Sequence, residues 1–242
     1  MAATSPVKDF LVTYLMPEKC YREFFVSFHL HVPCLKFVLN RVVGFWILLD
    51  TFLAQLPQLL KILWRGSVDG LSLTSILLQL YAFSCPVVYA VSNNFPLFAW
   101  AERLFTLAQT AAIIFLILHY RGDTLRGILL LLGYSGVMFF LGSYAATAVV
   151  SVMQASSLAA LIASKALQTV TNHHNGHTGQ LSSVSVLLSC AGSLGVLFVS
   201  LQETESSLAS LSHILSACLS CVLLAQVLCC RSSTATAAKK RE

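Results

Sequence analysis

The sequence predicts an all-α polytopic membrane protein. Seven transmembrane helices form two parallel three-helix bundles (spans 1–3 and 5–7), joined by span 4. Three observations predict it. The composition is apolar, with 57% hydrophobic and only 10% charged residues and a mean hydropathy of +0.77, whereas soluble domains are nearer a quarter charged. Seven apolar stretches are each about long enough to cross a ~30 Å hydrocarbon core as a helix. The chain also repeats itself at a fixed spacing. A net charge of +5, small and dispersed, excludes nucleic-acid binding and intrinsic disorder, which need dense charge.

The elements follow in order. Residues 1–41 mix Phe24, Phe25, Phe28 and Leu30 with Lys19, Arg22 and Lys36. This pattern reads as an amphipathic segment lying along the membrane surface. Phe10 to Met16 is too short an apolar run for a signal peptide. The spans are 42–60, 72–92, 97–119, 127–145, 148–170, 181–201 and 207–230, and their only acidic, Lys or Arg residues are Asp50, Glu102, Arg103 and Lys165. Such a partition is expected because a charge on a lipid-facing helix costs several kcal/mol.

Short-loop charge sets the orientation. Lys61 and Arg65 follow span 1, Arg121 and Arg126 follow span 3, and Arg231, Lys239, Lys240 and Arg241 follow span 7. The loops after spans 2, 4 and 6 carry no Lys or Arg. The N-terminus is therefore expected in the lumen and the C-terminus in the cytoplasm, although Lys36 and Arg41 before span 1 point the other way. Trp46 and Trp100 fall near lumenal ends, and Trp64 and Tyr120 near cytoplasmic ones, as an aromatic belt requires.

Shifting the sequence by 110 residues aligns 58–78 with 168–188 without a gap. Identities fall at Gln58/Gln168, Gly66/Gly176, Leu71/Leu181, Ser72/Ser182, Ser75/Ser185, Leu77/Leu187 and Leu78/Leu188. The shift maps spans 1–3 onto 5–7 in the same direction. Transporters built from such parallel repeats place their substrate path at the interface between the copies. The expected organisation is an interfacial segment (1–41), a first three-helix repeat (42–119), a linker helix (120–147), a second three-helix repeat (148–230) and a tail (231–242).

Leu56-Pro57-Gln58, followed by Gly70-Leu71-Ser72, resembles the PQ-loop motif. That family includes the SWEET sugar facilitators and the cystinosin-type lysosomal transporters. Further segments resemble a branch of the family concerned with dolichol-linked sugars. They are 17–21, 31–36, 93–96, 119–122 and 202–204, and above all the nine-residue run His174-Asn175-Gly176-His177-Thr178-Gly179-Gln180-Leu181-Ser182. The resemblance implies a non-enzymatic protein of the endoplasmic reticulum membrane. Its expected ligands are dolichyl-phosphate mannose and dolichyl-phosphate glucose, used for N-glycans, GPI anchors and O- or C-mannosylation. Lumenal glycosyltransferases are implied as partners. A small-solute facilitator and a scaffold for those transferases are the competing readings.

Within this frame the candidate residues acquire roles. Pro57 is expected to kink span 1 and free a backbone carbonyl, with Gln58 and its repeat mate Gln168 satisfying backbone groups or gripping a polar ligand. No proline follows Pro96, so the second repeat lacks this hinge. Asp50 is an intramembrane carboxylate and a functional candidate by default. Lys165 is expected to pair with Asp50, to snorkel, or to attract a dolichyl phosphate. Asn93, Asn94 and Glu102 offer a lumenal turn or a polar rim for a sugar. Lys239 and Lys240 form a dilysine ending of the kind read by the retrieval coat, a receptor-read address.

No cofactor or metal is expected. His173, His174 and His177 lack cysteine or acidic neighbours at ligand spacing and read as a structured loop. Cys20 and Cys34 are both placed in the lumen, where pairing is open. Cys218-x-x-Cys221 reads as packing, and Cys229 and Cys230 as palmitoylation candidates. No Asp-x-Asp pair, nucleophile–base set or phosphate loop supports an enzyme.

Overall fold

The computed structural model describes residues 6–29, 31–202 and 207–239. The fold is all-helical, 84% helix, with no strand among the described residues, and seven helices are long and apolar enough to span a membrane. It divides into two units, Met1–Leu49 and Asp50–Glu242.

The first unit begins with helical turns, α1 (Pro6–Phe10) and α2 (Glu18–Tyr21), each continued by a π turn. Cys20 and Cys34 form a disulfide, which settles the pairing that sequence left open. Together with Met16 they make a small buried cluster. Arg41 Nε donates to the Tyr14 carbonyl at 3.1 Å. Helix α3 (Val32–Leu53) starts ten residues before the expected span 1 and runs into the second unit.

The second unit holds α4 (Leu56–Arg65), α5 (Leu73–Ser92), α6 (Ala101–Tyr120), α7 (Thr124–Tyr144), α8 (Thr147–Asn175), α9 (Ser183–Ser200) and α10 (Ser207–Lys239). Helix α4 packs on α6, and α8 on α10. Helix α5 packs on α6, and α9 on α10. Across the halves, α5 packs on α8 and α4 on α9. Each half's second helix therefore meets the other half's first. Helix α7 packs on α5 and α6, where Tyr134 and Ser84 share a hydroxyl hydrogen bond.

Local caps repeat with the sequence. Gly66 and Gly176 end α4 and α8 in the left-handed region, at φ 60° and 67°. Glycine carries no Cβ penalty there. Ser72 and Ser182 cap α5 and α9 by accepting from the amides of Ser75 and Ser185.

The first span differs from its expected form. Pro57 is not inside a continuous helix. The chain breaks at Ala54–Gln55, and Pro57 lies in the first turn of α4, where its missing N–H costs nothing. The carbonyls left open by the break are answered by span 3. Thr106 Oγ1 donates to the Thr51 carbonyl at 2.8 Å, and Gln109 Nε2 to that of Phe52 at 2.9 Å.

Candidate functional site

Gln58 and Gln168 face each other's loops rather than their own helices. Gln58 Nε2 donates to the Gln180 carbonyl (3.1 Å), and its Oε1 accepts from the Ser182 amide (2.6 Å). Gln168 Nε2 donates to the Gly70 carbonyl (3.0 Å), and its Oε1 accepts from the Ser72 amide (3.1 Å). Subtracting 110 converts one set into the other. Both side chains are buried, 4% and 6% exposed, so each bond forms away from competing water. The result is a reciprocal clasp between the halves. The glutamines bind backbone, and the backbone belongs to the other half.

The two loops touch directly. Gln180 N donates to the Asp69 carbonyl at 2.8 Å. A side chain on Gly179 would run into that same carbonyl, and Gly179 sits at φ 49°, so this contact needs glycine. Basic residues pin the rims. Lys61 Nζ donates to the Leu181 carbonyl (2.8 Å) and Arg121 Nη2 to that of Leu71 (3.1 Å).

Beneath the clasp lies a cavity of about 80 Å³ between the halves. Its polar lining includes Gln55, Gln79, Ser75, Ser185, Ser189 and Lys165. The first turns of α5 and α9 both face it, one from each half.

Lys165 neither snorkels nor forms an ion pair. It is 5% exposed. Its ammonium donates to Ser193 Oγ (2.8 Å), Ser216 Oγ (2.9 Å) and Ser220 Oγ (2.7 Å), with the Ser216 carbonyl at 3.4 Å. Among the described residues no carboxylate lies within ion-pair distance of it. Asp50 is in electrostatic reach, but its carboxylate packs over Gly192, where any side chain would collide with it. Asp50 Oδ1 is buried without a hydrogen-bond partner. No single signal in the chain marks this serine cage in advance. Ser216 and Ser220 on α10 stand four apart, which places them on one helix face, but only packing shows what that face meets.

The remaining candidates lie elsewhere. Asn93 Nδ2 donates to the Tyr89 carbonyl at 2.8 Å, and Asn94 takes φ 55°, a conformation asparagine tolerates at a helix end. They close the far end of α5, about 30 Å along the helix from the clasp. Glu102 stands in the first turn of α6, where a carboxylate complements the helix dipole. The imidazoles of His173, His174 and His177 are exposed. Cys221 faces Cys190 on α9 at 3.6 Å rather than its chain neighbour Cys218. Lys239 ends α10, and Lys240 lies outside the described residues, as does the side chain of Cys230.

With that geometry in place, the comparison with known families is specific. Residues 39–99 match the PQ loop repeat. This is a multi-pass membrane protein, and its first repeat is similar to the PQ loop repeat. The match covers the first clasp glutamine and the loop that the second one grips. No solved structure matches the chain. The second half has the same caps and the same clasp, but Leu167 stands where the first half has Pro57.

Proposed function

We propose that this protein serves lumenal glycosylation as the mannose-phosphate-dolichol utilization defect protein does, whose sequence pattern it resembles. In this reading it lies in the endoplasmic reticulum membrane and makes dolichyl-phosphate mannose and dolichyl-phosphate glucose usable by lumenal transferases. It presents or moves the lipid and carries out no bond chemistry of its own.

One observation carries the reading. The run His174–Ser182, which bears the most specific part of the resemblance, ends in the backbone that Gln58 clasps, at Gln180 and Ser182, and Leu181 between them lines the cavity. In this reading the end of the branch-specific run holds the two halves together beside the cavity, and the ligand enters when that contact opens. Two further features support it. Lys165 brings a positive charge to the cavity wall, and a glycosylated dolichyl phosphate is a monoanion. The Cys20–Cys34 disulfide suits an oxidising compartment, on the side that loop charge assigns to the lumen.

A facilitator of a small solute, as in the SWEET and cystinosin relatives, is favoured by the cavity's size. At about 80 Å³ it has room for a few waters or a phosphate-sized group, and not for a hexose as well. The dolichol reading therefore requires the clasp to open when the sugar enters.

Depletion from cells, followed by analysis of lipid-linked oligosaccharides, tests the proposal. The expected result is truncated oligosaccharides and reduced GPI anchoring while dolichyl-phosphate mannose is still made, with rescue by the wild-type chain. Full-length oligosaccharides after depletion would refute it. Sealed liposomes carrying labelled dolichyl-phosphate mannose then separate movement between leaflets from presentation.

A further inference from the structure

The cavity is lined by one group whose bonding is incomplete and by one cation that makes no ion pair among the described residues. Ser185 is 8% exposed, lines the cavity, and its hydroxyl has no hydrogen-bond partner. The cause lies in the repeat. Its mate Ser75 donates to the Ser164 carbonyl at 2.8 Å and shares a 3.0 Å bond with the Ser164 hydroxyl. The residue equivalent to Ser164 in the first half is Ala54, which has no hydroxyl and stands at the break in span 1. Ser185 is left at the cavity wall with a hydroxyl that has no hydrogen-bond partner. A buried unpaired hydroxyl is a cost that a ligand can remove.

Lys165 is the second group. Its three protons are occupied by hydroxyls and a carbonyl, which solvate the ammonium but carry no negative charge. Asp50 is in electrostatic reach of Lys165 but makes no ion pair with it, and in a low-dielectric interior a cation without a contact ion pair still attracts an anion. The first turn of α9 adds the positive end of its helix dipole, because Ser185 and Ser189 lie on that turn and the next.

We propose that Lys165 and Ser185 seat a phosphodiester, with Lys165 supplying the charge and Ser185 the donated hydrogen bond. The seat takes the phosphate of a polyprenyl-phosphate sugar, and the hexose occupies the room made when the clasp opens. This assignment rests on the dolichol reading for the identity of the lipid. The seat itself is defined by anion chemistry, which a free phosphate shares.

The test measures binding to the full chain in nanodiscs. The probes are labelled dolichyl-phosphate mannose, unglycosylated dolichyl phosphate, inorganic phosphate and free mannose. The variants are Ser185→Ala, Lys165→Gln and Lys165→Arg. Ser185→Ala removes a hydroxyl that makes no bond, so it leaves the fold intact and remains informative if Lys165→Gln misfolds. We expect Ser185→Ala to weaken dolichyl-phosphate mannose binding roughly 10-fold and Lys165→Gln roughly 100-fold, as for lost charge-assisted bonds. Lys165→Arg should retain binding, and free mannose should not compete.

Wild-type binding that neither Ser185→Ala nor Lys165→Gln weakens would overturn the seat while leaving the dolichol reading standing. Inorganic phosphate bound in a Lys165-dependent way, with no affinity for the lipids, would uphold the seat and overturn the dolichol reading. Absence of binding to every phosphate probe would overturn the seat, leaving the cellular test to judge the reading. Competition by free mannose equal to that by the phosphate-bearing lipids would also overturn the seat.

Discussion

Gln58 and Gln168 occupy equivalent positions and make equivalent bonds, yet their surroundings differ. Gln168 lies on an unbroken α8 of 29 residues. Its Nε2 also donates to Asn172 Oδ1 (2.8 Å), Asn172 Nδ2 donates to Gln226 Oε1 (3.1 Å), and Gln226 Nε2 returns to the Thr169 carbonyl (3.1 Å). This amide chain fixes the rotamer of Gln168 from α10. Gln58 has no such support. The residue equivalent to Asn172 is Ile62, fully buried in an apolar cluster. Gln58 also sits on a ten-residue helix, just after a break and a proline. The comparison teaches that a symmetric clasp has one stiff arm and one that is held mainly by the clasp itself. Any opening should begin with Gln58 and α4.

Four substitutions, in three tests, would break or sharpen that contrast. The largest effect is expected from Gly179→Val, which forces a β-branched residue into φ 49° and against the Asp69 carbonyl. A loss of about 3 kcal/mol or more follows from strain and overpacking together, visible as loss of folded protein on size exclusion. The second is the pair Gln168→Ala and Gln58→Ala, compared by thermal unfolding. Each unmade bond to a buried group costs about 1–3 kcal/mol. Gln168→Ala strands Ser72 N–H, the Gly70 carbonyl and Asn172, so it should cost about 1 kcal/mol more than Gln58→Ala. Equal losses would remove the distinction between the arms. The smallest effect is expected from Pro57→Ala. The proline stands in a first helical turn and its N–H is not missed, so stability should change by about 1 kcal/mol or less. A change above that would mean that the proline stiffens α4 rather than merely following the break.

Much of the fold was legible in sequence because bilayer physics is legible. Backbone groups must be satisfied within each span, so apolar length alone marks helices. Spans 2 to 6 match the observed helices to within a few residues. Span 1 was misread at both ends. Val32 to Arg41 carries charges that looked interfacial, and the break at Ala54–Gln55 is held open by Thr106 and Gln109, residues far away in the chain. The repeat was legible through Gly66/Gly176 and Ser72/Ser182, which need glycine and serine for local reasons. Identity at Gln58/Gln168 flagged the pair, but nothing local says that each glutamine reaches into the other half.

The sequence by itself determined the membrane class, the number of spans and the pairing of the two halves, because hydropathy, caps and left-handed glycines act over a few residues. Only the tertiary structure decided that the glutamines clasp backbone and that Lys165 rests among serines instead of meeting Asp50. It also decided that Ser185 is left without a partner. These are outcomes of which helix faces meet, and a contact between residues a hundred positions apart leaves no mark on either segment alone.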